Sequence, residues 1–399
     1  MAIVRWTVCI ALAGCGFSTT IASNDPDSGG GDGDSRGDGV VARDVPHIPA
    51  SVETIGGLDV TLPNGTVIDT GAGTITPSVA GAQIEIVAQE PSGDGLALIR
   101  ARSITIASGA TVRVVGSNQT PRPLVLFADR ITIAGTLDGG AKRAVPGPGG
   151  RASGGPGLGA DGEHRDTFHD SGGGGGAYAV AASAGGDAGT TCGTQANGGN
   201  GGAVFGLASL DVLAGGAAGG AGASLVCTLG APGAGGGAIQ LSALTRLEIT
   251  GAVTVGGGGG GGGINCGGSD TGGGSGGGSG GALYLDAPAI VLSGIVAAHG
   301  GGGGGGASSP GSNGGFGGDA AASLAQATGG SSGGSYGTVG GKGATGALAS
   351  TAGGNQGCDG NGAGGGGSVG RIVVHAPSQG AVTGGGMQSP TAVLVTTGF

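Results

Sequence analysis

Residues 238–263 read AIQLSALTRLEITGAVTVGGGGGGGG, and the pattern they carry returns three more times. It recurs as PLVLFADRITIAGTLDGG from Pro123, as ALYLDAPAIVLSGIVAAHGGGGGGG from Ala282 and in worn form as RIVVHAPSQGAVTGGG from Arg371. The shared unit is an alternating apolar run, a small residue, a second alternating run, a Gly, a third short apolar piece and then glycines. Alternation with a period of two marks a strand with one buried face. Aligned on this unit, Ile99, Leu126, Leu241, Leu285 and Val374 share one inward position, and Ala101, Ala128, Ala243, Ala287 and Ala376 the next small one. A unit of about 20 residues with three short strands matches one turn of a solenoid, in which each coil buries its faces only by stacking on its neighbours. The sequence therefore predicts a mainly β fold, a right-handed parallel β-helix over residues 96–399, interrupted by glycine-rich insertions at 143–237, 256–281 and 300–368.

Glycine supplies 109 of the 399 residues and aromatic residues only 3%, too few large side chains for a conventional layered core along the whole chain. Glycine also loses the most backbone entropy on folding, so order here requires long runs of regular backbone hydrogen bonds. The absence of a strict G-X-Y period and the presence of only 16 Pro argue against a collagen triple helix. The three insertions leave one corner of successive coils and so should lie side by side. Two states are open to them: flexible linker, or a polyglycine-II-like layer of extended strands, close enough to hydrogen-bond because no Cβ intervenes.

Ahead of the coils, residues 50–95 alternate in short pieces such as Leu58-Asp59-Val60-Thr61-Leu62 and Gln83-Ile84-Glu85-Ile86-Val87, separated by turn formers such as Pro63-Asn64-Gly65. This segment is expected to be a β-rich cap over the first open edge of the solenoid, which would otherwise invite pairing with another chain. No segment carries a 3.6-residue period, so helix should be minor.

The chain begins MAIVRWTVCIALAGC, one basic residue followed by an apolar run far shorter than the roughly 20 residues of a spanning helix. Residues 1–14 are read as a signal peptide. Leu12-Ala13-Gly14-Cys15 resembles the lipobox of bacterial lipoproteins, which implies cleavage before Cys15 and lipid on its sulfur. Gly16 stands where that family's inner-membrane retention signal would place Asp, which implies passage to the outer membrane. Residues 15–49 hold Asp25, Asp27, Asp32, Asp34 and Asp38 among Gly and Ser and read as an acidic flexible tether. Arg36-Gly37-Asp38 within it is a tripeptide that such a composition produces by chance.

Of six cysteines, Cys9 leaves with the signal and Cys15 takes lipid, so Cys192, Cys227, Cys266 and Cys358 remain, all in the insertions. An even number in an exported chain reads as two disulfides with three connectivities open. The expected pairing is Cys192 with Cys227, inside one insertion, and Cys266 with Cys358, tying two together. No pair has the C-x₂₋₄-C spacing of a zinc site.

The formal charge of −10 and the lack of any Lys/Arg cluster exclude nucleic acid as an expected partner. The repeat alignment stacks Arg100, Phe127, Ser242, Asp286 and His375 at one outward position. Asp286 falls between Ser242 and His375, which puts these two about 9–10 Å apart, against roughly 3 Å for a nucleophile and its base. The column is expected to be a solvated face with an Asp286 and His375 contact. The island Glu163-His164-Arg165-Asp166-Thr167-Phe168-His169-Asp170 is the only dense polar stretch among the glycines, and His164, Asp166, His169 and Asp170 are weak candidates for a divalent metal. The spacing of the two His fits neither helix nor alternate strand positions, so an exposed loop is expected. No catalytic residue and no cofactor is assigned.

Taken with the lipobox, the tether and the glycine-rich coils, the chain resembles the glycine-rich surface lipoproteins of myxobacteria and, more loosely, the PGRS-type glycine-rich proteins of mycobacteria. The resemblance implies a non-enzymatic envelope protein, outer-membrane anchored, with structural or adhesive contacts to extracellular polysaccharide or other surface proteins. The alternative is a polysaccharide-binding or polysaccharide-processing β-helix.

Overall fold

Val, Ile and Leu at alternate positions form strands because their side chains fit a pleated, half-buried surface. The computed structural model describes residues 45–397 apart from 53–56, 118–120, 167–168, 192, 194, 268–269, 309–310 and 358–359. The signal segment, Cys15, most of the tether, Cys192 and Cys358 lie outside the described residues. All that follows belongs to one unit, Arg43–Phe399.

The first stretch forms β1 (Asp59–Leu62), β2 (Val67–Asp69), β3 (Thr74–Thr76) and β4 (Glu85–Ala88). Next come β5 (Gly95–Ile106) with β6 (Thr111–Val115), then β7 (Leu124–Ile133) with β8 (Thr136–Asp138). The first insertion carries a small hairpin, β9 (His164–Asp166) and β10 (His169–Asp170). After it follow β11 (Ala238–Ile249) and β12 (Ala252–Thr254), then a second hairpin, β13 (Asn265–Gly267) and β14 (Asp270–Thr271). The next pass is β15 (Ala282–Asp286), β16 (Ile290–Leu292) and β17 (Ile295–Ala297). The last is β18 (Arg371–His375), β19 (Val382–Thr383), β20 (Met387–Ser389) and β21 (Val393–Val395). Helix among the described residues is confined to the three-residue turns Ala50–Val52 and Gln379–Ala381.

Two large parallel sheets result. One has ten strands, ordered β1-β5-β7-β11-β15-β18-β21 with β4, β16 and β19 beside that path; the other has seven, ordered β20-β17-β12-β8-β6-β2-β3. Each pass of the chain adds to both. The register pairs Ile99 with Leu126, Leu126 with Leu241, Leu241 with Leu285 and Leu285 with Val374, the inward column read from the repeats. At the first edge, β4 pairs antiparallel with the start of β5 and β1 parallel with its end, so the outer side of β5 is covered in two halves.

Side chains of the ten-stranded sheet alternate between two cores. Ile99, Leu126, Leu241 and Leu285 meet Val112, Leu137, Val253 and Val296 of the seven-stranded sheet in one. Leu98, Val125, Phe127, Tyr284 and Val373 point the other way and are covered by Val45, Ile48, Tyr178, Leu210 and Leu213. Both faces are buried along the first halves of these strands, as parallel sheets require, while along their second halves the outward face is open, at Arg102, Arg130 and Arg246. Residues 45–49, read from sequence as the end of the tether, are therefore packed: Val45 and Ile48 are 1% and 2% exposed. The same cover corrects the reading of the outward column, because Phe127, Ser242, Asp286 and His375 are all buried.

The described glycine segments of the insertions form a regular array whose hydrogen bonds have a period of three residues. Along residues 272–281, Gly273, Gly276 and Ser279 donate to Ala223, Gly220 and Ala217, each at 2.9 Å. Gly274, Gly277 and Gly280 donate to Gly362, Gly365 and Ser368, while Ser275, Gly278 and Gly281 donate to Gly261, Gly258 and Val255. The carbonyls of the same segment accept from three further segments, through Gly173 and Gly176, Gly301 and Gly304, and Gly233 and Gly236. One strand thus bonds to six neighbours, the threefold pattern of an extended polyproline-II-type chain rather than the twofold pattern of a sheet. Glycine is required by contact: a methyl built on Gly276 would stand 1.9 Å from the Gly174 oxygen, and one on Gly278 2.0 Å from that of Ala234. Ser275 and Ser279 interrupt the run where a hydroxyl has work to do. Ser275 Oγ accepts from the Gly222 amide at 3.0 Å and donates to the Gly230 carbonyl at 2.6 Å, and Ser279 Oγ accepts from the Ala217 amide at 2.8 Å.

Cys227 is disulfide-bonded to Cys266, with Cα atoms 5.7 Å apart, in place of the expected Cys192 to Cys227 and Cys266 to Cys358 pairs. The cause is the path of the first insertion. It crosses the bundle several times, and its segment 217–223 lies directly against 273–279 of the second insertion, which brings the turns beyond them together.

Gly276→Ala is expected to cost about 1–3 kcal/mol through overpacking, and Ser275→Ala a similar amount by leaving buried backbone groups unpaired. Asn200→Ala, at an exposed position, should stay within about 0.5 kcal/mol. Urea denaturation of the three variants decides, and a Gly276→Ala protein as stable as the parent would refute the bonded bundle. Peptide mapping without reductant should recover Cys227 linked to Cys266; recovery of Cys227 linked to Cys192 would contradict the fold of the first insertion.

Candidate functional site

The densest polar chemistry on the two sheets is the buried column that the register forms from Arg100, Phe127, Ser242, Asp286 and His375. Asp286 stands between the other two members of the apparent triad, as their strand order dictates. Its Oδ1 is 2.9 Å from His375 Nδ1, and His375 Nε2 is 2.9 Å from the carbonyl oxygen of Thr397. Both ring nitrogens are thereby occupied. Ser242 Oγ accepts from Gln240 Nε2 at 2.8 Å, so the serine is tied to a neighbour on its own strand and not to the histidine.

Gln240 leads to a residue that the sequence reading left aside, His47. Gln240 Nε2 also donates to the Pro46 carbonyl at 2.7 Å, which fixes the amide so that its Oε1 faces His47 Nδ1 at 2.7 Å. His47 Nε2 lies 2.6 Å from the Leu210 carbonyl, and the ring packs edge-on against Tyr284 with centroids 4.9 Å apart. The ring therefore sits between two acceptors, and a neutral imidazole donates to only one of them. Burial lowers the His47 pKa, outweighing the two hydrogen bonds that pull it up. The network fastens the N-terminal segment and the Leu210 turn to the middle of the ten-stranded sheet. Val45-Pro46-His47-Ile48-Pro49, an apolar and proline-rich pentad after an acidic run, was the signal in the sequence for this docking.

The polar island of the first insertion is a half-buried antiparallel hairpin, β9 with β10, and not an exposed loop. It lies at the far turns of the glycine strands, where the twofold hairpin takes over from the threefold pattern. His164 Nδ1 contacts Asp170 Oδ1 at 2.6 Å and His169 Nδ1 contacts Asp166 Oδ1 at 2.7 Å, so the four metal candidates form two His–Asp contacts. Among the described residues no three His, Cys, Asp or Glu converge as a metal ion needs. Asp170 is 1% exposed, its backbone amide donates to Asn361 Oδ1 at 3.0 Å, and burial raises its pKa to about 6 against the pull of His164. His299, which opens the third insertion, is fully buried with neither ring nitrogen hydrogen-bonded, and burial lowers its pKa to about 4.

Comparison of the chain with protein-family models, with curated proteins and with solved structures finds no match. The chemistry of the site is therefore read from its own geometry. Its groups bind one another, and they hold chain termini and turns in place.

Asp170 and His299 give opposite dependences on pH. The raised folded pKa of Asp170 means stability that is present below its ordinary value of 3.8 and lost as pH rises through about 6. The lowered folded pKa of His299 means stability that is present above its ordinary 6.5 and lost as pH falls toward about 4. Between pH 4 and 6 the two oppose, each with a limiting slope of about 1.4 kcal/mol per pH unit. Asp170→Asn should make the protein lose stability more steeply on acidification than the parent, and His299→Gln should make it gain. Denaturation midpoints taken from pH 4 to 7 check both, and equal slopes in all three proteins would refute the assignment.

Proposed function

We propose that this chain is a non-enzymatic lipoprotein of the cell envelope, anchored in the outer membrane through lipid on Cys15. It holds out a right-handed parallel β-helix whose polyglycine-II-like bundle serves structural or adhesive contacts. The observation that carries the reading is the bundle itself. Its strands spend their backbone donors and acceptors on one another, which makes a cross-linked body whose outer strands present small neutral side chains at every third position, as at Asn197, Asn200 and Ala203. The Cys227–Cys266 disulfide accords with an oxidising compartment. Stacked passes on two parallel sheets accord with a solenoid, and right-handed crossovers are the rule for parallel strands. Among the described residues no helix is long and apolar enough to cross a membrane. Lipid on the N-terminal cysteine would supply attachment in its place, since two or more acyl chains hold a protein stably where one binds only marginally.

Expression in a bacterial host with an alkyne fatty acid tests the anchor. The parent should incorporate label and sediment with outer membranes, and Cys15→Ser should lose the label and leave that fraction. Labelling that persists in Cys15→Ser, or is absent from the parent, would overturn the lipoprotein reading.

A further inference from the structure

A cavity of about 640 Å³ opens where the start of β5, the Pro121-Arg122-Pro123 segment and the turns around residues 149–153 and 212–214 meet. That volume lies within the roughly 300–1,000 Å³ usual for small-molecule sites. Arg122 and Arg151 are among its lining residues, with Asp94 and Ser153 also on its wall. The chain has 25 acidic residues to 15 basic ones; Arg100, Arg113 and Arg246 pair with Glu85, Asp138 and Glu248, whereas Arg143 stacks on the Phe316 ring and Arg371 donates to the Gly206 and Ala179 carbonyls. Among the described residues, neither Arg122 nor Arg151 forms such a pair; Arg122 Nη1 makes only long contacts of 3.4 and 3.3 Å with the carbonyls of Thr70 and Gly71.

Both side chains are nonetheless held. Arg122 lies between two prolines, and the residue before a proline is restricted to extended backbone. Its side chain runs over Gly95, where a methyl would come 3.1 Å from Nε. Arg151 lies over Gly155, where a methyl would stand 1.6 Å from Nη1 and φ is +80°. Gly95, on the cavity wall, thus makes room for the Arg122 side chain, and Gly155, next to the 149–153 turn, for that of Arg151. Two arginines that form no ion pair among the described residues, sharing a cavity wall with one carboxylate and one hydroxyl, complement a ligand with one planar anionic group and several hydroxyls. Arginine grips a carboxylate through two parallel N–H bonds, and a charged acceptor roughly doubles the strength of each.

We propose that this cavity binds an acidic sugar, a uronic acid unit of an oligosaccharide, with its carboxylate on Arg122 and Arg151 and its hydroxyls on Asp94 and Ser153. The site goes beyond the envelope reading and does not rest on lipid attachment, so failure of either leaves the other standing.

Isothermal titration of the purified protein with trigalacturonate, maltotriose and inorganic phosphate tests it. Trigalacturonate should bind saturably at one site, and maltotriose, which lacks the carboxylate, at least tenfold more weakly. Loss of one charge-assisted contact corresponds to about a tenfold change, so Arg122→Ala and Arg151→Ala should each weaken trigalacturonate by about that factor. Arg151→Lys, which keeps the charge and loses the fork, should fall between; it serves as the decisive variant if alanine disturbs the fold, which the urea midpoint reports. No saturable binding, equal affinity for maltotriose, or unchanged affinity in Arg151→Lys and both alanine variants would overturn the proposal. Phosphate binding as tightly and competitively would mark a general anion site and overturn the sugar assignment.

Discussion

The contact on which this structure depends is that between a glycine Cα and the carbonyl oxygen of a neighbouring chain. Where a methyl group would come within about 2 Å of such an oxygen, as at Gly173, Gly276 and Gly278, only hydrogen at that position lets the strands approach closely enough to bond. The entropy lost on ordering so much glycine is large. Its return comes from the density of bonding: nearly every amide in the central strands finds a carbonyl, and those carbonyls belong to several different strands. Side-chain burial, the usual source of stability, contributes little within the bundle, where the interior residues other than Gly are mostly Ala and Ser.

The two sheets and the bundle are continuous. Gly281 and Gly370 end the glycine segments one residue before β15 and β18, and Ala282 and Arg371 are themselves partners in the ladder between those strands. The sheets fix where each insertion begins and ends and hence which glycine strands are neighbours. The bundle in turn supplies Tyr178, Leu210 and Leu213 to the second core, closing the outward face of the ten-stranded sheet over the first halves of its long strands. Phe127, Tyr284 and Val373 would otherwise face water. The buried polar residues on that face, Gln240, Ser242, Asp286 and His375, belong to this closure and hydrogen-bond to one another or to the segments laid across them, with Asp286 engaged through Oδ1.

Much of the β architecture was legible in the sequence because strand repeats leave a period-two trace that stacks in register, and the aligned columns are the ladder pairs. The burial of the outward column was not legible, since what covers it comes from residues 45–48 and from turns far away in the sequence, with no local mark on the column itself. The glycine segments hid their order in composition. Asn197-Gly-Gly-Asn200-Gly-Gly-Ala203 carries a triplet period that reports an outer strand with one exposed position in three, while the inner strands are nearly pure glycine and carry no period at all. GGGSGGGSGG has the composition of a linker, and its serines are distinguished from linker serines only by the amides of Gly222 and Ala217 that they meet. The cysteine pairing failed for a related reason: pairing within one insertion assumes a simple loop, whereas the first insertion makes several crossings.

The sixfold coordination of the strand at residues 272–281 has a mechanical meaning. A sheet can open like a zipper, one row of bonds at a time, because each strand is held along two lines only. A strand enclosed on six sides has no seam: pulling it out shears against every neighbour at once, and load applied at one turn spreads laterally as it does in a cross-linked solid. Toughness of this kind is isotropic about the strand axis, so such a bundle would resist bending equally in all directions without the large side chains that stiff proteins ordinarily need.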